Sequence, residues 1–388
     1  MESERIINVG IISFGLSGRV FHAPFVVTHP KYKLVCVYER TKNEADIFTS
    51  KHGLNSVVTV RSIDELVERN DIELVVVCSP IEYHYEHALA CLTANKHVLV
   101  EKAFCSTFDQ AKQITKIASE KGLICVPYQN RRYDCDFLTL QELLRKNVLG
   151  DIAEYNGFFN RYAANVRVNN WKDTVPGSGG NFLSLGSHMI DQAVVLFGSP
   201  QRIYCDIRAQ RDGAIVDDCW EVHLYYNSNG CDAQGLHKGG FRAILKGSLL
   251  CHDHSLRYMV HGKEGSWNKH GMDNQEEYLM KDNLPTYEPN PNPTSEAVSA
   301  VPYGVEVEAN WGKLTRIGIG SGNSTDSSVI QTPSKRGSYY MIYDEIYSNI
   351  VDNTPMHVSS QVPLTVMKII DLAYISSREG RVVDMETI

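Results

Sequence analysis

The first third of the chain alternates short apolar runs with stretches of helical periodicity. Six runs predict strands: Ile6–Ile12, Lys33–Tyr38, Ser56–Val60, Leu74–Cys78, His97–Val100 and Leu123–Val126. Such uninterrupted apolar runs are typical of parallel strands that are buried on both faces and joined by crossover helices. Ser62 and Glu65 have the spacing of a capping box, which predicts the start of one of these helices. Residues 1–126 are therefore expected to form a doubly wound Rossmann domain.

After Gly150 the apolar period changes to two. In Asp218–Tyr226 the apolar side chains alternate with polar ones, as in a strand with one solvated face. Similar runs are Ile152–Phe159, Arg202–Ala209, Phe241–Leu250 and Leu256–His261, whereas Leu183–Phe197, Tyr340–Val351 and Leu364–Ser376 are helical and Pro285–Pro302 and Gly320–Ser334 are typical of loops. Residues 127–388 are therefore predicted to form an α+β domain with a mostly antiparallel open sheet. An apolar sheet face needs a cover, so a homodimer or a homotetramer is expected.

Composition narrows the class of protein. The 388 residues are 43% apolar and 22% charged, which indicates a folded chain of more than one domain. A net charge of -8 with no long basic run makes nucleic acid and membranes improbable partners. No apolar stretch reaches the roughly 20 residues of a membrane span, so a cytoplasmic location is expected. Cys251-His252-Asp253-His254 contains metal-ligand residue types, but alternate strand residues face opposite ways, so no metal site is predicted.

A glycine-rich turn follows the first predicted strand. It reads Ser13-Phe14-Gly15-Leu16-Ser17-Gly18, which is G-x-G-x-x-G with serine in the first position. Gly15 would let the backbone approach a pyrophosphate, and Gly18 would let the following helix pack closely. Ser13 lacks the freedom of glycine at positive φ, so the turn is expected to tolerate a Cβ there. The motif predicts dinucleotide binding, and a purely structural tight turn is the alternative.

Glu39 and Arg40 end the second predicted strand, where an acidic residue would meet the adenosine ribose. Glu39 accepting from the 2′-hydroxyl favours NAD, whereas Arg40 could pair with a 2′-phosphate and favour NADP. A solvated ion pair at a strand end is the alternative for both.

Two further polar clusters also follow predicted strands. Ser79, Pro80 and His84 come after one strand, and Glu101 and Lys102 come after the next. Ligands of an open α/β sheet bind at the carboxyl ends of its strands, so these residues are predicted to bind the cofactor. A lysine at this place can hydrogen-bond a ribose and stabilise negative charge on a reacting oxygen. Taken singly, Lys102 would more often be a solvated charge.

Four motifs together resemble the glucose-fructose oxidoreductase/inositol dehydrogenase (Gfo/Idh/MocA) family, and within it the NADP-dependent scyllo-inositol dehydrogenases. They are the glycine turn continued through Arg19-Val20-Phe21-His22-Ala23-Pro24, Glu101-Lys102, Gln129-Asn130-Arg131-Arg132-Tyr133, and Leu185-Gly186-Ser187-His188-Met189-Ile190-Asp191-Gln192. The resemblance covers nearly the whole chain and implies hydride transfer between NADP or NAD, with a lean to NADP, and a ring hydroxyl or ketone of a cyclic polyol or sugar.

The resemblance also implies roles for particular residues. Lys102 matches the lysine of the family's Glu-Lys-Pro motif, and His188 matches its catalytic histidine, a residue type suited to accept the hydroxyl proton. Asn130 is expected beside the cofactor. Arg131 and Asp191 are also expected toward the substrate. Tyr162 and Trp171 are candidates for lining a polyol pocket by hydrogen bonding and stacking, and a packing role is the alternative for both.

Three positions depart from the family pattern: Ser13 and Ala103 replace a glycine and a proline, and Ser184 replaces the carboxylate four residues before His188. The third departure matters most, because serine can hydrogen-bond an imidazole but cannot offset its charge. Asp191 or Asp173 could compensate. A non-catalytic dinucleotide-binding regulator on the same fold is therefore the alternative to a dehydrogenase.

Overall fold

The computed structural model describes residues 5–176, 180–227, 240–289, 303–317 and 327–388. Its contacts divide the chain into two compact units. The first contains Met1–Asn130, Gln275–Pro291 and Ser338–Met367, and the second contains Arg131–Asn274, Asn292–Gly337 and Lys368–Ile388. Two late segments thus return to the first unit, although the sequence analysis assigned everything after residue 126 to the second domain.

The first unit is built on a six-stranded parallel sheet of order β3-β2-β1-β4-β5-β6, the order of a dinucleotide-binding domain. Its strands are β1 (Ile7–Ile12), β2 (Tyr32–Tyr38), β3 (Val58–Val60), β4 (Leu74–Val77), β5 (His97–Val100) and β6 (Cys125–Pro127). Its helices are α1 (Ala23–Thr28), α2 (Glu44–Lys51), α3 (Ile63–Val67), α4 (His84–Thr93), α5 (Phe108–Lys121), α9 (Gln275–Met280) and α10 (Tyr340–Asp352). The predicted Rossmann fold is confirmed, because all six predicted strands form.

The capping box at the start of α3 is half formed. The Ser62 hydroxyl accepts from the Glu65 N–H at 3.2 Å, as predicted. The Glu65 carboxylate does not return the bond to the Ser62 N–H; instead it accepts from the Ser62 hydroxyl at 2.8 Å.

The second unit contains a mixed sheet of order β14-β13-β12-β11-β7-β10-β9-β8-β15. Its strands are β7 (Ile152–Phe158), β8 (Arg202–Arg208), β9 (Cys219–Tyr226), β10 (Phe241–Ser248), β11 (Leu256–Gly262), β12 (Gly265–His270), β13 (Gly312–Ile317), β14 (Ser327–Thr332) and β15 (Val383–Asp384). Its helices are α6 (Cys135–Arg145), α7 (Trp171–Thr174), α8 (Ser187–Phe197) and the end of α11 (Gln361–Glu379). Strands β7 and β10 pair in parallel and the neighbours on either side pair antiparallel, which confirms the predicted mostly antiparallel sheet.

One loop prediction needs correction, and another falls largely outside the described residues. The stretch 320–334 was predicted to be a loop, but β14 occupies part of it and residues 320–326 lie outside the described residues. Edge strand β14 exposes both Val329 and Ile330, so it lacks the alternation that identified the other strands. Most of Pro285–Pro302 also lies outside the described residues.

Helix α8 is held on the inner face of the second sheet by aromatic packing. The ring of Phe197, its last residue, lies 5.3 Å from Tyr155 of β7 and 4.9 Å from Phe241 of β10. Both contacts are edge-on, the arrangement that aromatic quadrupoles favour. Across the described parts of both units, no helix is long and apolar enough to cross a membrane.

Candidate functional site

The register of the parallel sheet brings most of the predicted cofactor residues to one edge. Ile12, the last residue of β1, pairs with Tyr38 of β2 and with Val77 of β4. Val77 pairs with Val100 of β5, which pairs with Pro127 of β6. The residues that follow these five strand ends therefore emerge along one line: Ser13 to Gly18, Glu39 and Arg40, Ser79 and Pro80, Glu101 and Lys102, and Asn130. This is the edge where an open α/β sheet binds its ligand.

The glycine turn leaves room for a ligand to approach its backbone at Gly15. A Cβ at Gly15 would meet no protein atom within 4 Å, whereas a Cβ at Gly18 would lie 2.6 Å from the carbonyl oxygen of Ser13. Gly18 is thus required by the fold and Gly15 is not. Ser13 has φ of 73°, so the turn holds a Cβ in the left-handed region that favours glycine. Leu16, between the two glycines, is 48% exposed.

Glu39 is buried, and its carboxylate is already engaged. One carboxylate oxygen accepts from the Ala45 N–H at 2.9 Å, near the start of α2. The Glu39 carbonyl accepts from Arg61, whose guanidinium also bonds the carbonyl of Lys42. Arg40 is exposed. An ion pair between these neighbours, which was the alternative to cofactor binding, does not form, since the Glu39 charge stabilises a helix N-terminus.

His84 links two of the loops at this edge. Its Nδ1 lies 2.8 Å from the carbonyl of Ala103, and its Nε2 lies 2.8 Å from the carbonyl of Ser79. The ring is 1% exposed, and burial lowers its pKa. Both ring nitrogens contact protein carbonyls, so His84 positions the Ser79–Pro80 turn against the segment after Lys102. The Ser79 hydroxyl bonds His87 at 2.9 Å.

Glu101 follows β5, and its side chain is buried and hydrogen-bonded within the protein. It is 9% exposed, and its two carboxylate oxygens bond His22 at 3.1 Å and the Lys102 N–H at 3.1 Å. Lys102 itself is half-buried, and its peptide bond to Ala103 is cis. Asn130 is 7% exposed and begins a 3-10 turn.

In the second unit, His188 lies in the first turn of α8 and is 4% exposed. Half-buried Ser184 lies in a π-helical turn, Phe182–Gly186, that leads directly into this helix. The Asp217 carboxylate accepts from the Phe182 N–H at 2.5 Å and so caps the turn. Burial raises the pKa of Asp217 to about 6. π-helical turns inside helices are frequent at functional sites.

Both carboxylates that could replace the missing one at Ser184 are held by arginines. Arg132 Nε and Nη2 bond the two oxygens of Asp191 at 2.7 and 2.6 Å, in a bidentate pair. Arg167 bonds both oxygens of Asp173, at 3.0 and 2.9 Å, and lowers the pKa of that carboxyl to about 2. Their charges are therefore offset within the protein.

The other predicted substrate residues differ in exposure. Arg131 is 5% exposed, bonds Asp134 at 3.3 Å and lies over the ring of Phe159. Tyr162 is 48% exposed and stacks on His252 with ring centroids 3.7 Å apart. Trp171 begins α7, and its side chain lies outside the described part of the structure.

Three residues of these sites were not assigned a role from sequence. His22 and Arg132 stand inside motifs that carry the family resemblance, so position in the motif was an available signal. No sequence signal pointed to Arg61, because its guanidinium bonds backbone carbonyls. Among the described side chains, no group of three or more potential metal ligands is gathered.

Comparison with known proteins identifies the class. Residues 7–129 match the family model described as oxidoreductase family, NAD-binding Rossmann fold, and residues 141–385 match the model for its C-terminal alpha/beta domain. The chain belongs to the Gfo/Idh/MocA oxidoreductase family. It is an oxidoreductase with a nicotinamide-dinucleotide-binding domain.

Individual relatives are similar over different shares of the chain. The scyllo-inositol 2-dehydrogenase (NADP(+)) IolW of Bacillus subtilis is 33% identical over 380 residues, which cover 98% of this chain and 96% of that protein. The D-glucoside 3-dehydrogenase of Escherichia coli is 29% identical, over 50% of this chain and 55% of its own length. The solved structure of yvaA from Bacillus subtilis superposes with a TM-score of 0.86 at 31% identity and covers 100% of both chains.

Proposed function

We propose that the chain is a dehydrogenase that oxidises a ring hydroxyl of a cyclic polyol or sugar, or reduces the corresponding ketone, with a preference for NADP(H). The observation that carries the proposal is the common edge of five strand ends, where Gly15 leaves open space and Lys102 follows β5. Similarity to IolW along almost its full length supports a cyclitol as the substrate class.

The residues at this edge fit a dinucleotide. The backbone at Gly15 can meet a pyrophosphate without a Cβ in the way, and the helix that follows presents its N–H groups. When bound, the nicotinamide exchanges a hydride with the carbinol carbon. Lys102 hydrogen-bonds the reacting hydroxyl and stabilises the negative charge that develops on its oxygen. His188 takes the hydroxyl proton as general base.

The proposed NADP preference depends on Arg40. Arg40 is exposed, whereas the Glu39 carboxylate is buried against the start of α2. Arg40 is therefore the side chain available to pair with a 2′-phosphate. Arg40→Ala should weaken NADP binding by about 1–3 kcal/mol, as for loss of a charge-assisted hydrogen bond, and leave NAD binding unchanged. An unchanged NADP/NAD ratio would exclude this role.

Turnover tests the proposed function directly. The purified protein is assayed with NADP and with NAD against inositols, glucose and glucosides, in both directions. Lys102→Met and His188→Ala should each lower kcat by about a hundredfold or more, since a general acid or base contributes on the order of 10²–10⁴. Ser184→Asp should raise kcat and shift its pH profile. NADPH binding with no turnover on the whole panel would contradict the proposal and favour the regulatory alternative.

A second copy of the chain is the proposed partner, in addition to the small substrate. The apolar side chains of β9 are already buried within the chain, so the face left for a second copy is the one that carries half-buried Glu221, His223 and Tyr225. On this face Lys246 of β10 pairs with Glu221 at 2.9 Å. A second copy that covers this face gives a homodimer or a homotetramer. The proposed location of the protein is the cytosol. A monomer in light scattering at micromolar concentration would contradict this.

A further inference from the structure

A buried series of hydrogen bonds runs from helix α10 to the backbone of Lys102. The Tyr343 hydroxyl lies 2.8 Å from His22 Nδ1, and His22 Nε2 lies 3.1 Å from Glu101 Oε1. The other Glu101 oxygen accepts from the Lys102 N–H at 3.1 Å. Tyr343 and His22 are both 0% exposed, so solvent does not compete for these bonds.

The carboxylate fixes the direction of one of these hydrogen bonds. A carboxylate only accepts, so His22 Nε2 donates to Glu101. The other ring nitrogen, Nδ1, shares a hydrogen bond with the Tyr343 hydroxyl. Burial acts to raise the pKa of Glu101, but the hydrogen bond from His22 and the neighbouring charges bring that pKa below its ordinary value. Glu101 is therefore an anion that needs His22.

These hydrogen bonds connect three separate segments of the first unit. His22 ends the π-helical turn Gly18–His22 that follows the glycine turn, and its ring lies 4.2 Å from that of Tyr128. The backbone carbonyl of Tyr343 accepts from the Tyr32 hydroxyl at 2.7 Å, and this bond holds Tyr343 in place. Each side chain in this series of hydrogen bonds makes a second contact, which holds the series in place at both ends.

We propose that His22 is a positioning residue of this oxidoreductase: acting through Glu101, it fixes Lys102 relative to the glycine turn that would hold the dinucleotide. The role of Lys102 in catalysis rests on the proposed function, but the connection from His22 to Lys102 does not. Glu101, predicted from sequence to bind the cofactor, acts here as the link between the two.

The test compares His22→Leu with His29→Leu. His29 is also buried, at 2% exposure, and also bonds α10, through Asp344 at 3.0 Å, but it does not contact Glu101. The first readout is the acetylation rate of Lys102 with limiting acetic anhydride, followed by peptide mass spectrometry across pH in the absence of cofactor. Without His22, Glu101 takes up a proton more readily and places less negative charge beside Lys102. Less negative charge beside Lys102 leaves more of its amine unprotonated at neutral pH, so the acetylation rate of Lys102 in His22→Leu should rise by about threefold.

Turnover and NADPH fluorescence titration give the second readout. His22→Leu should lower kcat by about tenfold or more with a changed pH profile, whereas His29→Leu stays within about twofold. Tyr343→Phe, which deletes one hydroxyl, should shift Lys102 labelling in the same direction by less, and it serves if His22→Leu does not fold. Labelling of Lys102 that is equal in wild type, His22→Leu and Tyr343→Phe would overturn the proposal. Shifted labelling in a protein that oxidises no polyol would support it and reject the proposed function.

Discussion

Gly15→Ala separates ligand binding from folding at the glycine turn. The new Cβ would meet no protein atom within 4 Å, and the φ of Gly15 is not among the positive values. The substitution should therefore leave the free energy of unfolding unchanged or raise it by about 0.4–1 kcal/mol, because alanine restricts the unfolded chain. A bound pyrophosphate would lie in the space that the methyl group fills.

The magnitude for the cofactor follows from the hydrogen bonds that a displaced pyrophosphate loses. One charge-assisted bond is worth about 1.5–3 kcal/mol, so the Kd for NADPH should rise by roughly 10–150-fold. Gly18→Ala is the matched control. Its Cβ would lie 2.6 Å from the Ser13 carbonyl, and overpacking of this kind costs about 1–3 kcal/mol of stability.

NADPH fluorescence titration and thermal unfolding measure the two effects on the same samples. Gly15→Ala should lose binding and keep its Tm, and Gly18→Ala should lose Tm by several degrees, at about 2–4 °C per kcal/mol for a chain somewhat smaller than this one. Wild-type NADPH affinity in Gly15→Ala would refute the reasoning, because it would mean that the pyrophosphate does not approach this turn.

Three further substitutions test other parts of the structure. Glu39→Gln keeps an acceptor for the N–H near the start of α2 but removes a charge near the ribose end, so NADPH should bind more tightly by about twofold to tenfold while Tm changes little, as measured by the same titration. Gly247→Ala would bring a Cβ within 2.4 Å of the Trp220 ring, so chemical denaturation should show a loss of about 1–3 kcal/mol with little change in NADPH affinity. The pKa of Asp217 is raised to about 6, so the folded state holds its proton more tightly than the unfolded state, and stability is lost as pH rises from the unfolded pKa of 3.8 through 6. Asp217→Asn should therefore stabilise the protein by about 1–3 kcal/mol above pH 7 and have no such advantage near pH 3, and equal denaturation midpoints at both pH values would contradict this.

Several features of the site could be predicted because they depend on short-range patterns. The six strands of the first sheet are apolar runs, and the residues directly after them reach the same edge whichever helices lie between. The positions of Gly15, Ser79 and Lys102 followed from that rule alone. The left-handed φ of Ser13 did not, since a serine gives no sign of it.

The partners of buried charges were not predictable in the same way. Glu39 caps α2, Asp191 pairs with Arg132, and Glu101 bonds His22, which is 79 residues earlier in the chain. A sequence shows that such a residue is charged, but not which neighbour offsets its charge when it is removed from water. The predicted ligand-binding roles of Glu39, Asp191 and Glu101 remain predictions, and the structure adds a protein partner for each carboxylate.

The Rossmann sheet, the mostly antiparallel second sheet and the family could all be predicted from the sequence, because periodicity and local motifs report burial and chain direction over a few residues. Folding in three dimensions was needed to show that segments 275–291 and 338–367 join the first unit, and that Tyr343 from the second of them completes the hydrogen bonds that run through His22 and Glu101 to Lys102. These contacts join residues far apart in the sequence, 321 positions for Tyr343 with His22 and 79 positions for His22 with Glu101. They are selected by packing and by the need to satisfy every buried polar group, which are properties of the folded chain rather than of any stretch of its sequence.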